Sequence, residues 1–592
     1  MLSTSDLLER FPQLDVDRRA ARLQGCVRVL PGHLASEMPA FVERSARDVS
    51  RLWNRDATLW TSEQGAQRHI SRRLGWLDAP AVMAEARERL DRFVDQARQD
   101  GFSHAVLLGM GGSSLAPDVL RTVLGTKPGW LQLHVLDSTD PAAILAVDTP
   151  ARHTLVIVAS KSGTTIEPTS LAAAFRQRLL DAGVAQWAGQ FVAITDEGTE
   201  LERRGRADGF RSVFINPSDI GGRYSALSFF GLVPAALMGH DTAALLGWGL
   251  AELVASGRGS ELAGRLPSSG AVALGAAMAA GALHGRDKLT LLLPPALEPF
   301  GLWVEQLVAE STGKHGVGIV PVAGESSGRA RDYGPDRLFV RMRLAGTDAA
   351  DDRLVEDLSR AGHPIVDVDV PEPTALGAEF VRWEVATALA GAQLAINPFD
   401  EPNVAQAKEA TSRLLLAFKT EGQLPHVRPD RLAAGGVGFR ASQAAGGPHV
   451  DPAMILGQLT KGDYFALLAY VGPDAALADQ LHRFRMAVRD KTGLATMFGY
   501  GPRYLHSTGQ LHKGGANNGL FVLITAAPRE DLPIPGEGLT FGTLELAQAL
   551  GDFASLDATR RRAVHIHLPA PDPLLIASVA DALLAHAIRI EP

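Results

Sequence analysis

Three short segments concentrate residues suited to holding an anion. "HAVLLGMGGSSLAP" presents Gly111, Gly112, Ser113 and Ser114, and "TLVIVASKSGTTIEP" presents Ser160, Lys161, Ser162, Gly163, Thr164 and Thr165. "SVFINPSDIGGRYSAL" presents Gly221, Gly222 and Arg223. Each follows an apolar, strand-like run and leads towards a helix-like one. Small residues let backbone N–H groups approach an anion, hydroxyls donate to its oxygens, and the next helix N-terminus adds partial positive charge. One such loop means little; three in succession point to a phosphorylated ligand. Neither nucleotide signature fits. "MGGSSLAP" lacks the G-x-G-x-x-G spacing, and "VAESTGK" has Val308 where a P-loop needs its first glycine.

A second kind of chemistry lies further along. "LWVEQLVAESTGK" sets Gln306 and Glu310 four residues apart, on one face of a helix. "LHSTGQLHKGG" puts His506 and His512 in one turn-rich segment, and imidazole titrates near neutral pH. "HIHLP" aligns His565 and His567 on one strand face. With no convergent Cys or carboxylate motif they read as surface residues, not metal ligands. His315 reads as a surface residue and His363, ahead of a strand, as structural.

The elements that must position these groups show in the apolar periodicity. Residues 1–100 read as a helical segment. Short β-branched runs such as "HAVLLGM", "TLVIVAS" and "SVFIN" then alternate with helical stretches, which indicates βαβ units and a parallel sheet over residues 101–265. "KLTLLLPP", "RLFVRMRL" and "PIVDVDV" begin a second α/β unit, residues 266–422. Residues 423–592, rich in Gly and Pro loops, read as a smaller α+β domain with strands "YFALLAYV", "GLFVLIT" and "AVHIHLP".

Composition narrows the function classes. Lys+Arg 58 against Asp+Glu 66 gives a net charge of −8, without the basic stripe that nucleic acid requires. The single cysteine, Cys26, excludes an intrachain disulfide and suits a reducing compartment. The first residues lack the pattern of a signal peptide. The Gly/Ala-rich runs "GAVALGAAMAAGAL" and "ALSFFGLVPAALMG" are too short to span a bilayer. The expectation is a soluble cytoplasmic protein.

"GGSS", "SKSGTT", "GGRYS", "Q-x-x-x-ESTGK" and "NPFDEPNVAQAK" follow one another as they do in glucose-6-phosphate isomerases. From about residue 55 onwards the chain more closely resembles the isomerase half of bifunctional transaldolase/glucose-6-phosphate isomerases, through "RLWNRDATLW", "RLGWLD" and "GPRYLHSTGQLHKGG". The resemblance implies two sugar-isomerase (SIS) type doubly wound domains and reversible exchange of glucose 6-phosphate and fructose 6-phosphate, a step of glycolysis and gluconeogenesis. Ring opening and an enediolate intermediate would carry that exchange. Ser113, Ser160, Ser162, Thr165 and Gln306 would hold the phosphate, with Lys161 beside them. Glu310 would move the proton between C2 and C1, Arg223 would stabilise the enediolate, and Lys408 would assist ring opening. His506, in a Leu-His-Ser-x-Gly-Gln pattern, is the candidate for the ring-opening acid–base residue. No metal or organic cofactor is implied.

Transaldolase activity is not expected, because the N-terminal hundred residues cannot form a (β/α)₈ barrel. A homodimer and association with a separate transaldolase stay open. Two other readings of the same motifs are a sugar-phosphate sensor without catalysis and an isomerase that also accepts mannose 6-phosphate. The family's Phe-Asp-Gln is Phe-Asp-Glu here, and repulsion between like charges suggests that Glu401 turns away from the site.

Overall fold

The computed structural model describes residues 9–257, 269–346, 351–424 and 429–590; the domain boundary expected at 265/266 lies outside them. The chain's first strand, β1 (Val27–Leu30), interrupts the N-terminal segment that was expected to be helical throughout. Its four residues are partly exposed, too short and too mixed for periodicity to reveal them. They become a strand through pairing with a partner more than three hundred residues away.

β2 (His104–Gly109), β3 (Gln132–Leu136), β4 (Thr154–Ala159), β5 (Phe191–Asp196) and β6 (Ser212–Asn216) form an all-parallel sheet in the order β3-β2-β4-β5-β6. Alternate residues face opposite cores. Ala105 and Leu107 join one cluster, Val106 and Leu108 another. This burial on both faces explains the continuous apolar runs. β7 (Lys288–Leu292), β8 (Val320–Val322), β9 (Arg337–Leu344) and β10 (Ile365–Val370) form the second parallel sheet, with β1 antiparallel at its edge, in the order β8-β7-β9-β10-β1.

The third sheet contains β11 (Arg431–Leu432), β12 (Gly438–Ala441), β13 (Tyr464–Tyr470), β14 (Ala495–Tyr500), β15 (Gly519–Ala526) and β16 (Arg562–Leu568). Its order is β14-β13-β15-β16-β12-β11. The expected α+β character is met at the antiparallel edge made by β11 and β12. The centre of the sheet is parallel. Helices Ala475–Thr492 and Phe541–Ala558 cover opposite faces of it: Phe465 and Leu467 pack with Leu477 and Leu481, Ala466 and Leu468 with Ala549 and Phe553. Counted from its own first parallel strand, each sheet therefore has the order second-first-third-fourth. In that order the loops after the first and third strands part at a topological switch point.

Between the first two sheets lie helices Thr242–Ala255, Gly270–Leu283 and Leu376–Gln393, rich in Ala and Gly. Small residues let their backbones nearly touch: a Cβ on Gly377 would lie 2.0 Å from the Leu245 carbonyl oxygen, and one on Gly275 2.8 Å from that of Ala386. No helix among the described residues is long and apolar enough to cross a membrane. Helix Val404–Glu421 packs on Phe541–Ala558, where a Cβ on Gly551 would meet Thr411 Oγ1 at 2.5 Å. This contact ties the segment carrying Lys408 to the third sheet.

Gly377→Ala should destabilise the protein by about 1–3 kcal/mol, since backbone must move to admit the methyl group. Gly189→Ala, where a Cβ meets nothing within 4 Å, serves as the neutral control. Denaturant melts of both variants make the comparison, and equal midpoints would refute close helix packing at Gly377.

Candidate functional site

The loop after β4 gathers its hydroxyls at the start of helix Ile166–Asp181. Ser160 Oγ lies 3.1 Å and Ser162 Oγ 3.4 Å from Thr165 Oγ1. Thr165 is the helix N-cap but its side chain caps no backbone N–H, so the positive end of the helix stays open towards the hydroxyls. Lys161 is committed elsewhere. Its ammonium bonds the Asp196 carboxylate and donates to the Ser218 carbonyl at 2.9 Å. Asp196 thus offsets the charge this lysine was expected to offer an anion.

The loop after β2 brings Ser113 to the same hollow. Its glycines serve packing. A Cβ on Gly112 would lie 2.0 Å from the Gly222 carbonyl oxygen, and one on Gly111 2.4 Å from that of His506. The two loops and the C-terminal histidine segment meet only because these positions lack side chains.

The centre of the site is Arg223, whose side chain is 4% exposed. Its Nη1 lies 3.1 Å from Glu310 Oε1 and 3.1 Å from Glu401 Oε2. Nε donates to Ser311 Oγ (2.9 Å), and Nη2 to the carbonyls of Pro398 (2.8 Å) and Asp400 (2.9 Å). Glu401 does not turn away, as charge repulsion had suggested. A shared guanidinium holds it near Glu310. Burial, reinforced by the charge of Glu401, raises the Glu310 carboxyl above the usual range even though Arg223 opposes the shift. Burial acts on Glu401 too, but Arg223 outweighs it and lowers that carboxyl. Exposure agrees: the Glu401 side chain is 40% exposed and that of Glu310 12%. Glu401 is therefore the firmer anion and Glu310 the group poised to take up or release a proton.

Lys314 locks the floor below. Its buried ammonium donates to the Asn397 carbonyl (2.6 Å) and to Asp400 Oδ1 (2.7 Å). Burial first, then the charge of Arg223, brings its pKa down to about 8.

Gln306 Nε2 donates to Glu310 Oε2 at 3.2 Å and to the His506 carbonyl at 2.7 Å, which confirms the shared helix face and joins it to the C-terminal segment. His506 Nε2 lies 2.9 Å from Glu167 Oε1, an acceptor that also takes a 2.7 Å hydrogen bond from Gln548 Nε2. Burial pushes the Glu167 carboxyl up, but His506, then a backbone N–H and the charge of Lys408, together lower it. Gln510 Nε2 donates to the Gly313 carbonyl and to Asn403 Oδ1, both at 2.9 Å, and so pins the histidine segment to the end of helix Glu298–Thr312, which carries Gln306 and Glu310, and to the Asn403 loop.

A cleft of about 900 Å³ is lined by Ser113, Ser160, Lys161, Ser162, Thr165, Arg223, Gln306, Glu310, Lys408 and His506, so every site residue expected from sequence reaches it. His512 and Lys513 do not line it. His512 is buried against Tyr504 and Phe521, and Lys513 pairs with Asp552 at 2.6 Å. His565 and His567 also depart from expectation. Instead of standing on the surface, His565 is buried, and both rings bond Thr525 Oγ1 at 2.8 Å. Sequence reasoning missed Glu167, Gln548 and the locking role of Lys314. Lys314 closes the "ESTGK" motif and Glu167 stands two positions after Thr165, but no local pattern distinguishes Gln548.

Residues 64–321, which include the three loops and helix Glu298–Thr312, match the family model for phosphoglucose isomerase. A probable glucose-6-phosphate isomerase from Natronomonas pharaonis is 34% identical over 313 residues, spanning 51% of this chain and 68% of that protein. A glucose-6-phosphate isomerase from Synechococcus sp. (strain CC9605) is 28% identical over 425 residues, 65% of this chain and 77% of that one. The fold is shared with a hypothetical protein from Thermus thermophilus, at TM-score 0.54 and 24% identity over 65% of this chain and 99% of that one. With more than two thirds of the Natronomonas protein matched at that identity, and the family-model match spanning the three loops and Glu310, this chain belongs to the phosphoglucose isomerase family.

Proposed function

We propose that the protein interconverts glucose 6-phosphate and fructose 6-phosphate. The observation that carries this reading is one cleft in which a proton-poised carboxylate, Glu310, lies against a buried guanidinium while a hydroxyl-lined helix N-terminus opens into the same space. The phosphate binds at Ser113, Ser160, Ser162, Thr165 and the open end of the helix, with Gln306 nearby. Lys161 shapes this pocket through Asp196. Glu310 removes the proton from C2 of the open-chain aldose and returns it to C1, while Arg223 offsets the negative charge that develops on oxygen. Glu401 accepts from the nitrogen of Arg223 that also reaches Glu310, and it is the most exposed acceptor on that guanidinium. A substrate oxygen would displace it there.

Hexose phosphates rest mainly as closed rings, and opening one moves a proton between the ring oxygen and the C1 hydroxyl. His506, held by Glu167, is the proposed agent, with Lys408 assisting. This reading does not include transaldolase activity. Its setting is the cytoplasm, with a second copy or a separate transaldolase as the proteins this chain would join.

A coupled assay of purified protein with fructose 6-phosphate should show glucose 6-phosphate formation, and Glu310→Gln should lower turnover at least about a hundredfold while binding persists. Near-normal turnover in that variant would remove Glu310 from the mechanism. Glu401→Gln removes a charge that raises the Glu310 carboxyl. The acid limb of its kcat/KM profile should therefore move to lower pH, because the base stays ionised further down. A limb that stays put would mean that Glu401 does not act on the base. His506→Ala should slow conversion of ring-closed substrate and largely spare C2 proton exchange in an open-chain analogue. An equal loss on both would assign His506 a structural role instead.

A further inference from the structure

The third sheet repeats the strand order of the first, so β13 and β15 correspond to β2 and β4, the strands whose loops build the hydroxyl cleft. A crevice of about 510 Å³ opens at the matching place, between Tyr470–Asp474 after β13 and Ala526–Glu530 around the end of β15. Its size suits a small molecule, and switch-point crevices at the carboxyl ends of parallel strands are where open α/β sheets take ligands.

Its chemistry is opposite to that of the first cleft. Helix Ala475–Thr492, which leaves this edge, is already capped: Asp474 Oδ1 accepts from the N–H groups of Ala476 (2.8 Å) and Leu477 (3.0 Å). An anion finds no open helix end there. Glu545, on helix Phe541–Ala558, lines the crevice at 5% exposure, and its buried Oε1 has no hydrogen-bond partner. Asp140 lines it at 8% exposure and accepts from Ala142 and Ala143 N–H through Oδ1 alone. Leu145 and Leu477 give apolar wall. Arg529 and Glu530 stand exposed at the rim, where Arg529 Nη2 donates to the Pro571 carbonyl. Among the described residues no group of three His, Cys, Asp or Glu converges as a metal site, so these carboxylates are not arranged for ion coordination.

We propose that this crevice is a second binding site, which takes a small organic cation with an ammonium group on an aliphatic body. The Glu545 carboxylate turns its unpartnered oxygen into the crevice to bond the ammonium, which faces Asp140, and the aliphatic part lies along Leu145 and Leu477. Burial first, then the charges of Asp140 and Asp531, raises the Glu545 carboxyl. The other charged groups at the crevice are Asp474, Arg529 and Glu530. A bound cation favours the ionised form of Glu545, so binding displaces a proton and tightens as pH rises.

Calorimetric titration of the full chain with n-butylammonium chloride, against sodium butyrate and inorganic phosphate at matched ionic strength, tests this. Saturable binding of the amine and not of butyrate is expected, tighter at about pH 8 than at about pH 6. Glu545→Gln, which keeps shape and lies outside the isomerase cleft, should weaken the amine about tenfold or more while isomerase activity reports an intact fold. Should that variant fold poorly, Asp140→Asn should also weaken the amine. The proposal is overturned if wild-type protein gives no saturable amine binding up to about 50 mM, or if a folded Glu545→Gln binds as tightly as wild type.

Discussion

The site depends on one buried guanidinium. Removing a charge from water costs several kcal/mol unless its hydrogen-bonding capacity is met, and a half-met buried ion is worse than none. Arg223 is met on every side: by Ser311 Oγ, by Glu310 and Glu401, and by the carbonyls of Pro398 and Asp400. These partners lie on helix Glu298–Thr312 after β7 and on the segment leading to helix Val404–Glu421, whereas Arg223 itself comes from the loop after β6. Satisfying one side chain therefore fixes the relation between the first two sheets at the place where the carboxylate must stand.

The same arrangement settles how two acids coexist. Side by side, Glu310 and Glu401 would repel each other by several kcal/mol at protein-like dielectric. With a cation between them the negative charge rests preferentially on the more exposed Glu401, and Glu310, the more buried, is left with a raised pKa. The sequence argument about repulsion had the right sign but placed the remedy in turning Glu401 away, because a cation shared by residues 223, 310 and 401 has no local signature.

That distinction between local and distant causes explains what could be read beforehand. β2 and β4 are apolar runs buried on both faces, and β7 and β9 interleave polar with apolar residues, so the local pattern exposes all four. β8 is three residues long with Pro321 at its centre, β1 is four partly exposed residues, and β14 ("ATMFGY") mixes Gly and Thr into a short run; each is a strand because of its neighbours. Overlooking β14 hid the parallel centre of the third sheet. His506 could be singled out by type and flanking residues, but its partner Glu167 lies 339 positions away, and Gln548, which braces Glu167, a further 42 beyond His506. The glycines of "MGGSS" were legible as special positions, though their service is to let Gly222 and His506 approach.

The third sheet is what makes the cleft complete. Its loop after β14 supplies His506, while Gln510 bonds Gly313 and Asn403, and helix Phe541–Ala558 supplies Gln548 behind Glu167. Thr139, at the end of the first sheet, donates to the other end of the same Gln548 side chain at 2.9 Å. The C-terminal unit is thus joined to each of the other two through hydrogen bonds that also orient site residues. A shift of its sheet would misalign the His506–Glu167 pair and the Gln306 contact together. Geometry at the cleft and docking of the third unit are consequently one requirement, met by the same few polar side chains.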